Sequence, residues 1–331
     1  MMSLPGPSNL KLPATPDDVR AAYRLLLGRE AESERAVAHH LNGAPSVGEV
    51  VVRIMHSLEY LRRMSARGGV AYGTLDWNDT GVEVAADPAA LQRLLAHVTA
   101  TWTALGEASP HYSVLTNPAY LPAAMDAERE AQFYASAEEE VAMLRRLCHR
   151  NGVALAGQSV LDFGCGVGRL GAPLAAIFPR YTGVDVSAPH LGLAAARFAA
   201  IGRDAELLPI AAFLAAPGRR WDCIVSILVL QHSPPPVMRW LLRELLDRLA
   251  PAGVALIQIP AQLRDYRFSI AHYLADARPG DIEMHALPQR HVFATVAEAR
   301  CVLLGCMPDG RAGDDGQSCT YVIQRPRGPA A

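Results

Sequence analysis

Three glycines alternate with other residues at Gly164, Gly166 and Gly168, two residues after Asp162, in the run VLDFGCGVGRLG (160–171). Glycine lacks a Cβ, so a loop of this composition lets backbone N–H groups approach a bound group closely. A helix opening directly after the loop points its N-terminus into the same space. A second acid, Asp185, closes the apolar run YTGVDVS, and a later run leads into VLQHSP, which carries Gln231 and His232. Histidine is the residue type that most often moves a proton near neutral pH. A glycine cradle, two acids and one histidine, all at the ends of apolar runs, suggest a nucleotide-like ligand with a reacting group beside it.

The spacing narrows the ligand. A phosphate loop needs a lysine after its last glycine, and here Arg169 follows Gly168. A dinucleotide fingerprint counted from Gly164 needs its third glycine where Arg169 stands, which disfavours a nicotinamide enzyme. The elements that must position these residues are legible from Ser159 onward. SVLDFG, YTGVDVS, AELLPI, WDCIVSILVL and GVALIQIP have strand length, and helical patterns at Arg169–Phe178, Pro189–Ile201 and Val237–Leu249 fall between them. That alternation predicts a parallel α/β sheet, with ligands at the carboxyl ends of its strands. Two further runs, RCVLLGCMP and SCTYVIQR, predict a hairpin at the end of the sheet, and the fourth strand is read as ending in VLQHSP.

The ordered set Asp162-Phe163-Gly164-Cys165-Gly166-Val167-Gly168, then Asp185, then VLQHSP, then PAGVALIQIP, resembles class I S-adenosylmethionine-dependent methyltransferases over about residues 139–326. The resemblance implies a Rossmann-like seven-stranded sheet with helices on both faces and a reversed last strand. It implies S-adenosylmethionine as cofactor, held by Asp162, Gly164, Cys165, Gly166, Gly168, Asp185 and Val186. The acid at Asp185 would bond both ribose hydroxyls, since a carboxylate accepts from two donors at once. Gln231 would hold the amino-acid end of the cofactor or pack at the strand end. His232 is the candidate base for a hydroxyl acceptor, because a neutral alcohol attacks poorly until its proton is taken. Two positions depart from the family pattern. Ala252 replaces a glycine before the fifth strand, and no acid follows Leu208, so backbone near Pro209–Ala211 is read as meeting the adenine.

The surrounding segments supply a lid and an acceptor pocket. HYSVLTNPAYLP and the following AEREAQFYASAEEE resemble a lid found before the core in bacterial methyltransferases encoded with polysaccharide genes, which makes Tyr112 and Tyr134 covering candidates. Asn117-Pro118-Ala119-Tyr120 lies before the glycine loop and is read as a turn. Residues 261–291 are read as shaping the acceptor pocket, with Arg264, Tyr266, Arg267 and His285 as contacts. The histidines lack metal-ligand spacing, and no metal is expected.

Residues 14–68 form a separate helical pattern; 69–110 read as linker and helix; 111–326 as the methyltransferase domain with its lid. In the first unit Tyr23, Leu26, Leu27, Gly28, Arg29, Glu30, Ser57, Glu59 and Tyr60 resemble a small bacterial helical domain of unknown function that accompanies glycan-modifying enzymes. Arg29 and Glu59 are read as bracing its helices, with protein docking as its possible role. The 331 residues are half hydrophobic with a net charge of −2, which favours a folded core and gives no general attraction to nucleic acid. Six scattered cysteines without a C-x-x-C pair read as reduced thiols. MMSLPGPSNLKLPATP is not a signal peptide, and no apolar stretch is long enough to span a bilayer, so a cytoplasmic protein is expected. The expected function is methyl transfer to an oxygen of a sugar, glycan or other small metabolite, in polysaccharide or secondary metabolism. The alternative is a methyltransferase-fold binding or regulatory protein without activity.

Overall fold

A computed structural model of the chain describes residues 10–43, 45–55, 57, 59–60, 81–276, 280–313 and 316–327. The chain divides into two compact units, Met1–Asn78 and Asp79–Ala331.

In the first unit, α1 (Pro16–Ala22) opens with a reciprocal cap between Thr15 and Asp18, with Pro16 at its first position. A π-helical turn over Tyr23–Leu27 ends at Gly28, whose φ of 57° lets the chain reverse. α2 (Glu34–Leu41) is capped by Ser33, and α3 (Val47–Met55) follows. Their apolar faces meet in a small core of Val19, Tyr23, Leu27, Val37, Val50 and Ile54. Arg29 braces it, as its residue type suggests. Its Nε and Nη2 donate to Glu59 at 2.6 and 2.5 Å, and its guanidinium lies 5.1 Å from the Tyr23 ring centroid. The expected boundary between residues 68 and 69 lies outside the described residues.

The second unit is a three-layer α/β fold. It begins with α4 (Pro88–Ala108), α5 (Pro110–Val114) and α6 (Ala127–Arg150), capped in turn by Asp87, for α4, and Asp126, for α6. Then come β1 (Ser159–Phe163), α7 (Gly171–Ile177), β2 (Arg180–Asp185), α8 (Ala188–Ala200), β3 (Glu206–Pro209) and α9 (Ile210–Leu214). β4 (Trp221–Ser226), α10 (Pro235–Asp247), β5 (Leu249–Leu263), α11 (Ile270–Asp276), α12 (Gln289–Glu298), β6 (Val302–Pro308) and β7 (Gly316–Gln324) complete it. The strand order is β3-β2-β1-β4-β5-β7-β6, with β7 antiparallel to both neighbours. Side chains alternate across the sheet. Leu161 and Phe163 pack on one face with α4, α10 and α12, while Val160 packs on the other with α6, α7 and Phe198 of α8. This is the seven-stranded Rossmann-like sheet that the resemblance implies, and residues 81–110 belong to the same unit. Among the described residues, no helix is long and apolar enough to cross a membrane.

One strand boundary differs from the sequence reading. β4 stops at Ser226, and the following ILVLQH is turn rather than strand. Leu228 adopts φ 62° and its N–H donates to Gln258 Oε1 at 2.9 Å, so the chain leaves the sheet there. NPAY is a 3-10 turn held by Asn117 Oδ1, which accepts from the Ala119 N–H at 3.0 Å.

Candidate active site

The strand order reverses at β1, between β2 and β4, and the glycine loop leaves β1 at that point. Gly164 and Cys165 both donate their N–H groups to Val184 O, at 2.7 and 3.0 Å, which pins the loop to β2. Gly164, Gly166 and Gly168 have φ of 76°, 53° and 79°, the left-handed region that other residues enter at a cost. A Cβ on Gly164 would lie 2.3 Å from two Val229 methyls, and one on Gly166 would lie 2.8 Å from Val114. Gly168 differs: its nearest neighbour would be Ala194 at 3.4 Å, and it does not line the cavity. It serves packing of the loop on α8 rather than approach to a ligand.

The loop forms one wall of an open cavity. Asp162, Gly164, Cys165, Gly166, Asp185, Val186 and His232 all line it. Cys165 is almost fully buried, with burial pushing its thiol well above the usual range. Gly183 leaves room for its sulfur, since a Cβ there would sit 2.9 Å from Sγ.

Asp185 ends β2 with Oδ2 accepting from the Gly166 N–H at 2.8 Å and Oδ1 from the Ser187 N–H at 2.9 Å. Burial raises its pKa, and the nearby His190 and backbone N–H groups pull the other way. A carboxylate offers about four lone-pair positions. Capacity beyond these bonds fits a vicinal diol. Asp162 accepts from Tyr181 Oη at 2.8 Å, and burial raises its pKa to about 6.

That shift carries a stability cost with a definite sign. Between pH 4 and 6 the folded chain holds a proton on Asp162 that the unfolded chain has released, so stability falls as pH rises through 6. Asp162→Asn should therefore stabilise the unliganded chain above pH 6 by about 1–3 kcal/mol, with the gain fading below pH 4. Denaturant titrations at pH 4 and 7.5 test it; an equal effect at both sinks the assignment.

His232 sits in the turn after β4. Its Nδ1–H donates to Glu283 O at 2.7 Å, which leaves Nε2 as the acceptor for the Gln231 amide at 3.1 Å. Burial lowers its pKa to about 4, so the ring is neutral at pH 7. The Trp102 ring lies 5.0 Å away, centroid to centroid. Gln231 is not on the cavity wall. Its Oε1 accepts from Gln258 Nε2 at 2.9 Å, and Gln258 donates in turn to Ser318 Oγ at 2.7 Å. Both ends of the Gln231 amide are thus committed to a buried relay, and the side chain is not free to hold a ligand.

The pocket contacts expected from residues 261–291 are placed elsewhere. Arg264 and Arg267 are exposed, while Tyr266 donates to His285 Nδ1 at 2.7 Å and His285 Nε2–H donates to Glu283 at 3.1 Å. Tyr273 donates to the same carboxylate oxygen at 2.6 Å. Burial works against ionisation of Glu283, but these hydrogen bonds outweigh it and hold its pKa low. None of the four candidates lines the cavity. The group braces the segment against which His232 is oriented.

Several wall residues carry no motif. Leu95, Val98 and Trp102 lie on one face of α4, and Ser113 and Val114 come from α5. Their signal in the sequence is only a helical spacing of three and four. Ser113 Oγ lies 2.9 Å from His190 Nε2, tying α5 to α8. Tyr134 covers the loop from outside, donating to Val167 O at 3.3 Å beneath the Arg197 guanidinium, while Tyr112 does not reach the cavity.

Residues 134–299, half of the chain, match a family described as a methyltransferase domain. Over 130 residues the chain is 28% identical to a ubiquinone biosynthesis O-methyltransferase of Paraburkholderia phytofirmans, covering 38% of this chain and 55% of that protein. Over 84 residues it is 34% identical to a protein of the same description from Aromatoleum aromaticum, covering 25% and 36%. The matches thus span about half the length of these relatives, or less. Among solved structures, an S-adenosylmethionine-dependent methyltransferase from Clostridium acetobutylicum aligns at 16% identity and a TM-score of 0.45, over 66% of this chain and 96% of that one. A magnesium protoporphyrin IX methyltransferase from Synechocystis with SAH bound aligns at 17% and 0.43, over 61% and 88%.

Proposed function

This chain belongs to the family of methyltransferase domains, and from that premise we propose that it transfers a methyl group from S-adenosylmethionine to an oxygen of a small molecule. One observation carries the reading: Asp185, its oxygens fixed by the Gly166 and Ser187 N–H groups, lines the cavity beside the glycine loop at the switch point of the sheet. Asp162, Gly164, Cys165, Gly166, Asp185 and Val186 would hold the cofactor, with Ile210 beside its adenine in place of the missing acid. When bound, the sulfonium supplies an electrophilic methyl carbon.

The remaining task falls to the chain's own residues. They exclude water, orient the acceptor and take its proton. His232 is placed for the last of these. Its Nδ1–H is fixed on Glu283 O, so a proton would arrive at Nε2, displacing the Gln231 amide. A ring with a pKa of about 4 is a modest proton sink, so His232→Ala should lower kcat/KM by about 10-fold rather than abolish turnover. The His232 contribution to the rate should show no inflection at pH 6–7 and should be lost only below pH 5, as Nε2 becomes occupied. A His232→Ala enzyme with unchanged kcat/KM would sink the base role.

The finer reading is a sugar or glycan hydroxyl as acceptor, with the N-terminal unit docking the enzyme to a glycan-modifying partner. It rests on the resemblance of the N-terminal unit. A second reading is a phenolic acceptor. Leu95, Val98 and Trp102 make the α4 wall apolar and bring an indole ring beside His232, and the curated relatives are named for ubiquinone biosynthesis. A transfer screen over sugar nucleotides, glycans and simple phenols, read by S-adenosylhomocysteine release, separates the two. Cofactor binding without turnover on any acceptor would favour the inactive scaffold instead.

A further inference from the structure

With Gln231 committed to Gln258 and His232, nothing yet named meets the amino-acid end of the cofactor. The cavity wall contains one guanidinium, Arg169, directly after the glycine loop. Arg169 is only 5% exposed. Burying a cation is costly unless it is well paired, and this one is poorly paired. Its Nη1 donates to Ser136 Oγ at 3.3 Å, while Nη2 stands 3.8 Å from Glu140 Oε2, beyond hydrogen-bond reach. Glu140 has a better partner in Arg311, whose Nη2 donates to its other oxygen at 2.6 Å. Neither Nε nor Nη2 of Arg169 is engaged in a hydrogen bond, and the residue lines the cavity. Desolvation disfavours the charged form of Arg169, opposed by Glu140 and by Asp162.

Resting on the cofactor reading above, we infer that Arg169 is the binding site for the carboxylate of the cofactor's amino-acid end. A planar guanidinium with two adjacent free donors presents the fork that a carboxylate accepts, and a lysine could not reproduce it. Asp162 lies within electrostatic reach of Arg169 and both line the cavity, so this part of the wall offers a negative as well as a positive group. That pattern is complementary to a zwitterion and to no simple anion. Ser136 on α6 accepts from Nη1 and steadies the guanidinium.

Two ligands isolate this contact. S-adenosylhomocysteine has the amino-acid end; 5′-methylthioadenosine keeps the adenosine and sulfur and lacks it. Calorimetry on the full chain should find Arg169→Gln roughly 10- to 100-fold weaker for S-adenosylhomocysteine, with 5′-methylthioadenosine bound within about 3-fold of wild type. Arg169→Lys should fall between. Retained binding of 5′-methylthioadenosine also shows the site still folded. Equal losses for both ligands, or no loss for S-adenosylhomocysteine, would overturn the assignment. Asp185→Asn should weaken both ligands alike. A wild-type chain that binds neither ligand overturns the cofactor reading itself, and the Arg169 assignment with it.

Discussion

Replacing Asp185 by alanine is expected to weaken S-adenosylhomocysteine binding by roughly 10²- to 10⁴-fold. Two charge-assisted hydrogen bonds to a diol would be lost, each worth about 1.5–3 kcal/mol. The Gly166 and Ser187 N–H groups would also lose their acceptor, so the loop that shapes the cavity would relax. Asparagine should do little better. Its amide nitrogen must face either the Gly166 or the Ser187 N–H, donor against donor, and only one oxygen remains for two hydroxyls. Calorimetry reads both variants directly. Binding within 10-fold of wild type in either would remove Asp185 from the site.

The second large effect belongs to Gly164. An alanine there would hold φ near 76° and place its Cβ 2.3 Å from both Val229 methyls. The backbone has no easy retreat, because the Gly164 and Cys165 N–H groups share Val184 O. Left-handed strain of about 1 kcal/mol and overpacking of about 1–3 kcal/mol add to a loss of about 2–4 kcal/mol. Chemical denaturation measures it, and a double-mutant cycle divides it. Val229→Ala should restore the clash component and leave the strain. If Val229→Ala restores nothing, the contact is not the cause. Gly168→Ala makes a useful contrast, since its Cβ would meet only ordinary packing at 3.4 Å.

What could be read from the sequence was what is local. Asp162, the alternating glycines and Asp185 are separated by strand and turn lengths, so their juxtaposition follows from one βαβ unit. The residues misjudged are those whose partners are distant. Gln231 looks available until Gln258, 27 residues later, claims its oxygen. Ser113 and His190 meet across 77 residues, and Leu95, Val98 and Trp102 reach the cavity only because α4 packs along the sheet. In the sequence, Arg169 is only the residue that departs from a dinucleotide fingerprint. Its poor pairing becomes visible only when Glu140 is seen facing Arg311. The end of β4 was misplaced for a different reason. A leucine at φ 62° carries no glycine to announce the turn, and the apolar run through Leu230 lines the cavity and core rather than extending the strand.

The place of β7 has a consequence for how the chain acquires its structure. β6 is made before β7 yet has no partner in the sheet until β7 lies between it and β5. The sheet can thus zip from β3 to β5 early, but both outer pairings wait for β7, the last of the seven strands to be made. That same strand brings Ser318, the far anchor of the relay through Gln258 and Gln231 to His232. A nascent or refolding chain should therefore hold a formed glycine loop before it holds an oriented His232. Hydrogen exchange during refolding should show β1, β2 and β4 protected before β6 and β7, with competence to bind ligand preceding competence to turn over.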